Sequence, residues 1–217
     1  SPDGRAAFSH TRLSILDLSS AGHQPMSTPD GRYTITFNGE IYNFSELRKD
    51  LEAAGVPLAS RTDTEVILRL YEREGARCLR RLRGMFAFAI WDDVEKRCFF
   101  ARDPLGIKPL YFVRTTESLA FVSELRALIS GGLADGHLGM VGLYGYLTTG
   151  TVPEPATILN GAQILPAGHW MEWSNGRTRT EKYWGVSFSP EPMAREDAAR
   201  LAREALVDSL RHHFVSD

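Results

Sequence analysis

The chain has 217 residues, 43% of them hydrophobic and 24% charged, a balance typical of a globular protein with one large domain, or one domain and part of another. Its formal net charge of -2 at pH 7 gives no surplus of basic residues for nucleic acid or an anionic membrane, so neither is expected as a partner and a small-molecule substrate is favoured. The longest apolar run, residues 85–91, is far shorter than the roughly 18 residues of a membrane-spanning helix.

The two cysteines, Cys78 and Cys98, each lie in a segment whose pattern predicts regular structure, and neither has a metal-type neighbour in sequence. We interpret both as reduced core thiols of a cytoplasmic protein, and we expect no metal site. Residues 1–4 (Ser-Pro-Asp-Gly) favour a turn, and no initiator methionine precedes them, so we interpret the start of the chain as a cut.

Alternating apolar and polar residues predict two strands near the start of the chain, over residues 5–16 and 32–37. The dipeptide Asn38-Gly39 follows the second strand and precedes the apolar pair 41–42. By local pattern alone this dipeptide favours a plain hairpin turn, which is its commonest use between alternating segments.

Two capping-box spacings predict two helices. Asn-x-x-Glu at residues 43–46 predicts a helix over residues 44–54, and Thr-x-x-Glu at residues 62–65 predicts a second helix that ends at Gly75. The second helix therefore holds Asp63 in its first turn.

The middle of the chain predicts an antiparallel meander, because short apolar segments alternate there with polar turn sequences. These segments are residues 85–91, 97–102, 110–114 and 119–122. A helix is predicted over residues 140–147, and strands over 164–173 and 179–184. Since no strand-helix-strand unit repeats, the pattern favours an α+β fold.

Three parts are predicted along the chain. Residues 1–186 form the main domain, and residues 187–193, with two prolines and two serines, form a linker. Residues 194–217 have helical spacing and begin an element that the chain does not finish.

Six long sequence motifs occur in order along the chain. They are HTRLSILD at residues 10–17, FNGEIYN at 37–43, TDTEVIL at 62–68, GMFAFA at 84–89, RDPLGIKPLY at 102–111 and FVSE at 121–124. In order and spacing they resemble the motifs of the glutaminase domain of asparagine synthetases, a class II glutamine amidotransferase, over nearly the whole chain.

That resemblance implies the four-layer αββα sandwich of the N-terminal-nucleophile hydrolases, in which an N-terminal cysteine attacks the side-chain amide of L-glutamine. The ammonia released serves a second domain of the same polypeptide, which uses ATP and magnesium to amidate aspartate. Residues 194–217 would be the first helix of that synthetase domain, and residues 1–186 would be the glutaminase domain without its first strands. The resemblance implies no cofactor within this chain, and it allows a homodimer.

The resemblance also implies an oxyanion hole. Attack of a thiolate on an amide develops negative charge on the carbonyl oxygen, and fixed donors must point at that oxygen. The family pattern assigns this role to the Asn38 side chain and the Gly39 backbone N–H. Glycine suits the position because no Cβ blocks the approach of substrate to the backbone.

A free amino acid substrate needs one partner for its carboxylate and one for its ammonium. The resemblance assigns Arg12 to the carboxylate, where its planar guanidinium can bind both oxygens, and Asp63 to the ammonium. Glu40 and the backbone around Ile15 and Leu16 would complete the glutamine pocket.

One departure from the family concerns the nucleophile. Neither Cys78 nor Cys98 can replace an N-terminal cysteine, whose own α-amine acts as the base, so we expect no glutaminase activity from this chain as it stands. Two alternatives stay open: a β-lactam-synthetase-like ligase with an inactive glutaminase domain, and a docking module without catalysis. The joint presence of Arg12, Asn38, Gly39 and Asp63 argues against the first alternative, because an inactive pocket has no chemical reason to keep all four. A first residue other than cysteine in the full-length sequence would favour the second alternative.

Overall fold

The computed structural model describes residues 1–11 and 20–213 of the chain. Helices pack against the outer faces of two antiparallel sheets, so that the layers run helix, sheet, sheet and helix. This arrangement confirms the prediction of an α+β fold in four layers.

In the part of the chain that the structure describes, the larger sheet has six strands. In spatial order they are β1 (Met26–Ser27), β2 (Tyr33–Ile41), β3 (Gly84–Asp92), β4 (Arg97–Arg102), β8 (His169–Ser174) and β9 (Arg177–Lys182). The smaller sheet has the order β6 (Leu119–Val122), β5 (Tyr111–Arg114) and β7 (Ala162–Ile164). All neighbouring strands run antiparallel. The predicted meander is wrong as one unit, because β3 pairs with β4 in the larger sheet while β5 pairs with β6 in the smaller sheet.

Within the described residues, five α-helices accompany the sheets. They are α1 (Phe44–Ala53), α2 (Asp63–Glu74), α3 (Leu125–Ser130), α4 (Met140–Thr149) and α5 (Arg195–His213), and the segments Ser20–Gly22 and Gly75–Arg80 form 3-10 turns. The predicted bounds of α1, α2 and α4 agree with these within a few residues. None of the helices within residues 20–213 is long and apolar enough to cross a membrane.

Strand β3 separates two cores, because its successive side chains point to opposite faces of the sheet. Large apolar residues lie on one face and small ones on the other over residues 86–89. Phe86 and Phe88 belong to the core under α1 and α2, whereas Ala87 and Ala89 belong to the core between the two sheets. The small side chains of Ala87 and Ala89 leave space between the two sheets, and this space is part of the cavity described below.

The predicted strand over residues 164–173 is wrong, because two strands of different sheets occupy this segment. Between β7 and β8 the chain turns through Pro166, which has no N–H for a ladder, and Gly168, whose φ is +66°. The strand predicted over residues 5–16 is also wrong for its described part, since residues 5–11 have no regular structure. The Phe8 ring instead packs edge-on against Phe121 at a centroid distance of 5.4 Å.

The hairpin turn that the local pattern favours at Asn38-Gly39 does not exist. Strand β2 continues through both residues, with Asn38 opposite Ala87 and Gly39 opposite Phe86. A local signal for a turn is overridden here by a long partner strand.

The two capping boxes have different outcomes. At α2 the Thr62 hydroxyl accepts a hydrogen bond from the backbone N–H of Glu65 at 3.3 Å, as predicted. At α1 the Asn43 side chain does not cap the helix, and bonds instead to the carbonyl of Arg81 and the N–H of Arg83. Asn43 therefore connects the start of α1 to the segment before β3.

Residues 187–193 have no regular structure, and α5 follows them at Arg195. The predicted helix thus agrees with the structure, and the linker role of residues 187–193 stays a prediction. The assignment of residues 194–217 to a second domain stays a prediction.

A fully buried carboxylate organises the loop between β4 and β5. Asp103 accepts hydrogen bonds from the backbone N–H groups of Phe86, Leu105, Ile107 and Lys108, at 3.2, 3.1, 3.0 and 2.9 Å. These four donors take the place of water around the carboxylate and connect the loop to β3.

We expect Asp103→Ala to lower the free energy of unfolding by about 3 kcal/mol or more, because it leaves buried N–H groups without an acceptor. Urea unfolding of the chain measures this. Asp135→Ala is the control, since the Asp135 side chain is 59% exposed and should cost less than about 1 kcal/mol. Equal losses in the two variants would show that solvent reaches the donors around Asp103.

Candidate functional site

Four of the implied site residues lie in the described part of the chain, at the end of β2 and the start of α2. Arg12, Ile15 and Leu16 lie outside the described residues, so their roles stay predictions. The described part of the candidate site consists of Asn38, Gly39, Glu40 and Asp63.

The Asn38 side chain faces the space between the two sheets. Its neighbour Phe37 points into the core under the helices, so strand alternation directs Asn38 to the opposite face. There it lines a cavity of about 690 Å³ whose walls come from residues 7–11 and from strands β2, β3 and β6. His10 and Thr36 add polar groups to this cavity, with Nδ1 and Oγ1 3.4 Å apart.

Gly39 is required by the close approach of β3. Its φ is +150°, and a Cβ at this position would lie 2.1 Å from the carbonyl oxygen of Met85. Gly84 is in the reciprocal position, where a Cβ would lie 2.1 Å from the carbonyl oxygen of Glu40. The two glycines therefore allow the strands to meet, whatever else the Gly39 N–H does.

Asp63 is the first residue of α2 and lies beside the last residue of β2. Its carboxylate oxygen Oδ2 accepts a hydrogen bond from the Ile41 backbone N–H at 3.1 Å, and the residue is only 7% exposed. Ile41 pairs with Gly84 on its other side, so this contact joins the helix directly to the edge of the ladder.

Burial raises the pKa of the Asp63 carboxyl to about 6. The backbone N–H groups of Ile41 and Thr64 act in the opposite direction, and the nearby charge of Glu40 adds to the rise. Within residues 1–11 and 20–213, no lysine, arginine or histidine forms an ion pair with Asp63. A buried carboxylate with hydrogen bonds but no counter-charge is suited to receive a cationic group.

The described residues bring Gly39, Glu40 and Asp63 together at the end of β2. The Asn38 side chain lies on the inter-sheet side, in a cavity that Asp63 does not line. Convergence of these residues with Arg12 in one cleft stays a prediction.

Two buried polar residues that support the site were missed from the sequence. The Glu65 carboxylate accepts the N–H groups of Ala59 and Ser60 at 2.8 and 2.6 Å and fixes the loop before α2. Gln24 contacts both β2 and α2 through its side-chain amide. The spacing of Glu65 from Thr62 indicates only the start of a helix, because its contacts depend on how the preceding loop folds back. Nothing in the local pattern marks Gln24, because its partners Phe37 and Thr64 are distant in sequence.

A solved structure has the same fold. The glutamine phosphoribosylpyrophosphate amidotransferase from Bacillus subtilis, complexed with ADP and GMP, matches with a TM-score of 0.59 over 81% of this chain and 34% of that chain, at 22% identity. This similarity supports the predicted four-layer αββα sandwich as the fold of the chain.

The family described as a glutamine amidotransferase domain matches residues 2–184, and the chain belongs to that family. Glutamine-hydrolyzing asparagine synthetase 1 of Bacillus subtilis (strain 168) is 36% identical over 216 residues, which is 99% of this chain and 34% of that protein. Glutamine-hydrolyzing asparagine synthetase 3 of the same organism is 33% identical over 213 residues, with 97% and 34% coverage. The chain thus spans about a third of the length of these curated relatives.

The raised pKa of Asp63 predicts a stability effect with a definite sign. The carboxyl titrates near 3.9 in an unfolded chain and at about 6 in the fold, so the folded state binds the proton more tightly. The contribution of Asp63 to the free energy of unfolding therefore falls as the pH rises from 4 through 6. Above pH 6 the full cost of the buried charge is present. Asp63→Asn removes the charge but keeps an oxygen for the Ile41 N–H.

We expect Asp63→Asn to raise the free energy of unfolding at pH 7.5 by up to about 3 kcal/mol, and by only a fraction of that at pH 4. Urea unfolding at both pH values measures the difference. Asp50→Asn is the control, since the Asp50 side chain is 64% exposed. If Asp63→Asn changed the free energy of unfolding equally at pH 4 and at pH 7.5, the raised pKa assigned to Asp63 would be wrong.

Proposed function

We propose that the chain is the glutaminase domain of an asparagine synthetase, which hydrolyses L-glutamine to supply ammonia for ATP-dependent amidation of aspartate. The observation that carries this proposal is the buried carboxylate of Asp63, which has no counter-charge among residues 1–11 and 20–213 and lies beside the β2 segment that bears Asn38, Gly39 and Glu40. Membership of the glutamine amidotransferase family supports it.

In the proposed complex the α-ammonium of glutamine binds Asp63. The incoming cation brings a positive charge next to the buried carboxylate, so binding favours the ionised form of Asp63 and lowers its pKa. Arg12 receives the α-carboxylate in a two-pronged contact, and Glu40 with the backbone around Ile15 and Leu16 completes the pocket.

The chemical step needs a thiolate and an oxyanion hole. The Asn38 amide and the Gly39 N–H would donate to the carbonyl oxygen as it gains charge, and loss of one such donor typically costs about 2.7 to 4 kcal/mol of transition-state stabilisation. The attacking thiolate would be that of an N-terminal cysteine, whose α-amine accepts the thiol proton.

The chain's own two thiols do not suit this role. Both are buried, and burial raises the pKa of Cys78 to about 12 and the pKa of Cys98 well above its ordinary value. Cys78 lies in the core under the helices and Cys98 in the core between the sheets.

The ammonia would pass to a cytoplasmic synthetase domain of the same polypeptide, which uses ATP and magnesium. Helix α5 would be the start of that domain. It contacts the glutaminase domain through Asp208, 3.7 Å from Arg83, and through the His213 ring, whose centroid is 4.2 Å from that of Tyr42.

We expect L-glutamine to bind this chain more tightly as the pH rises from 5 to 7, because Asp63 must be ionised to hold the ammonium. Asp63→Asn should weaken binding at pH 7.5 roughly ten- to a hundredfold, the size of one lost charge-assisted contact of about 1.5 to 3 kcal/mol. Titration followed by amide NMR shifts measures both effects.

The ligand control for this titration is glutaramate, which keeps the carboxylate and amide of glutamine but has no ammonium. Its affinity should not depend on Asp63→Asn. The protein control is Asp50→Asn. If L-glutamine bound Asp63→Asn as well as the parent chain, Asp63 would have another function, and a chain that bound no glutamine at pH 7.5 would favour a docking module.

We expect ammonia release from L-glutamine by this chain to remain at the buffer blank, because neither buried thiol can present a thiolate to substrate. A coupled assay for ammonia measures this, with and without a thiol reagent. Turnover above the blank that the reagent abolishes would mean that Cys78 or Cys98 is a nucleophile.

A further inference from the structure

The β2 segment that carries the proposed oxyanion donors is connected to α2 at both ends. At one end the Ile41 N–H donates to Asp63 at 3.1 Å. At the other end the Phe37 N–H donates to Oε1 of Gln24 at 2.7 Å, and Nε2 of Gln24 donates to the Thr64 hydroxyl at 3.2 Å. Residues 38–40 therefore lie between two buried polar links to the same helix.

The Gln24 link is buried and chemically defined. Gln24 is 6% exposed, and Phe37 and Thr64 are buried as well. A backbone N–H can only donate, so the amide oxygen must face Phe37 and the NH₂ group must face the Thr64 hydroxyl, which accepts. Both ends of the amide are thus used, and exchanging them would leave the Phe37 N–H without its acceptor.

The link takes the place of a ladder that cannot continue. Strand β1 pairs Met26 with Ile35, and the same register would put residue 25 opposite 36 and residue 24 opposite Phe37. Pro25 has no N–H, so the backbone of this segment cannot extend the pairing. The Gln24 side chain supplies the acceptor for Phe37 and also reaches the helix.

We propose that Gln24 is a positioning residue for glutamine at this site. It fixes the spacing between the β2 segment 38–40, proposed to hold the reacting amide, and Asp63, proposed to hold the ammonium at the other end of the substrate. The inference rests on the proposed function. A substrate held at both ends depends on that spacing, because even about 1 Å of misplacement weakens productive binding strongly.

The test compares variants of this chain that remove or keep the link. Gln24→Met has a similar shape without hydrogen bonds, and Thr64→Val removes only the hydroxyl. Thr64→Ser keeps the hydroxyl. Thr157→Val is the matched control. Thr157, like Thr64, is a buried threonine with a hydrogen-bonded hydroxyl, but its partners are the backbone groups of Leu159 and Ala162.

We expect Gln24→Met and Thr64→Val to raise the Kd for L-glutamine about five- to tenfold, with a smaller change for glutaramate, which does not use Asp63. Hydrogen exchange of the amides of residues 37–41 should accelerate in both variants. Thr64→Ser and Thr157→Val should stay within about twofold of the parent chain in Kd. Urea unfolding of all four variants separates these effects from a general loss of stability.

The outcomes distinguish the two proposals. In one outcome the parent chain binds L-glutamine, and Gln24→Met and Thr64→Val have the same Kd for it as the control Thr157→Val. Gln24 then only stabilises the fold, and the positioning role is wrong. Equal losses for L-glutamine and glutaramate would also overturn it. If the parent chain binds no L-glutamine, the proposed function fails, and the positioning role fails with it.

Discussion

The antiparallel pairing of β2 with β3 is the constraint on which the rest of the structure depends. It runs through all nine residues of β2, from Tyr33 opposite Asp92 to Ile41 opposite Gly84. Because side chains alternate along a paired strand, this register alone decides that Phe37 supports the helices and Asn38 faces the inter-sheet cavity. A shift by one residue would exchange the two faces and remove the site.

Helix α2 adds a buried ionisable group to this pair of strands. Its first residue, Asp63, is buried where two backbone N–H groups and the positive end of the helix favour a carboxylate, yet burial dominates and the group titrates at about 6. A site of this kind is easily neutralised and easily charged near physiological pH. It suits a ligand that brings its own positive charge, as a free amino acid does.

The parts of the fold that the sequence predicts well are those set by short-range periodicity. Helices α1 and α2 and the central strands follow from apolar spacing and, for α2, from Thr62. The Asn38-Gly39 dipeptide could not be assigned locally, because nine residues of β3 distant in sequence decide its conformation. The functional motifs identified the family, but not the Gln24 link, because a buried amide has no periodic signal of its own.

The reciprocal approach of Gly39 and Gly84 has a consequence for reading sequence variation in this family. A Cβ added at either glycine would clash with backbone atoms of the opposite strand. Because these are backbone atoms, no substitution of a neighbouring side chain can make room for it. Both glycines would be retained by a descendant that had lost its chemistry, since folding alone selects them. Asn38 faces a cavity and is free of that requirement. If Asn38 is the proposed oxyanion donor, retention of asparagine at position 38, rather than glycine at 39, is therefore the informative mark of a working enzyme.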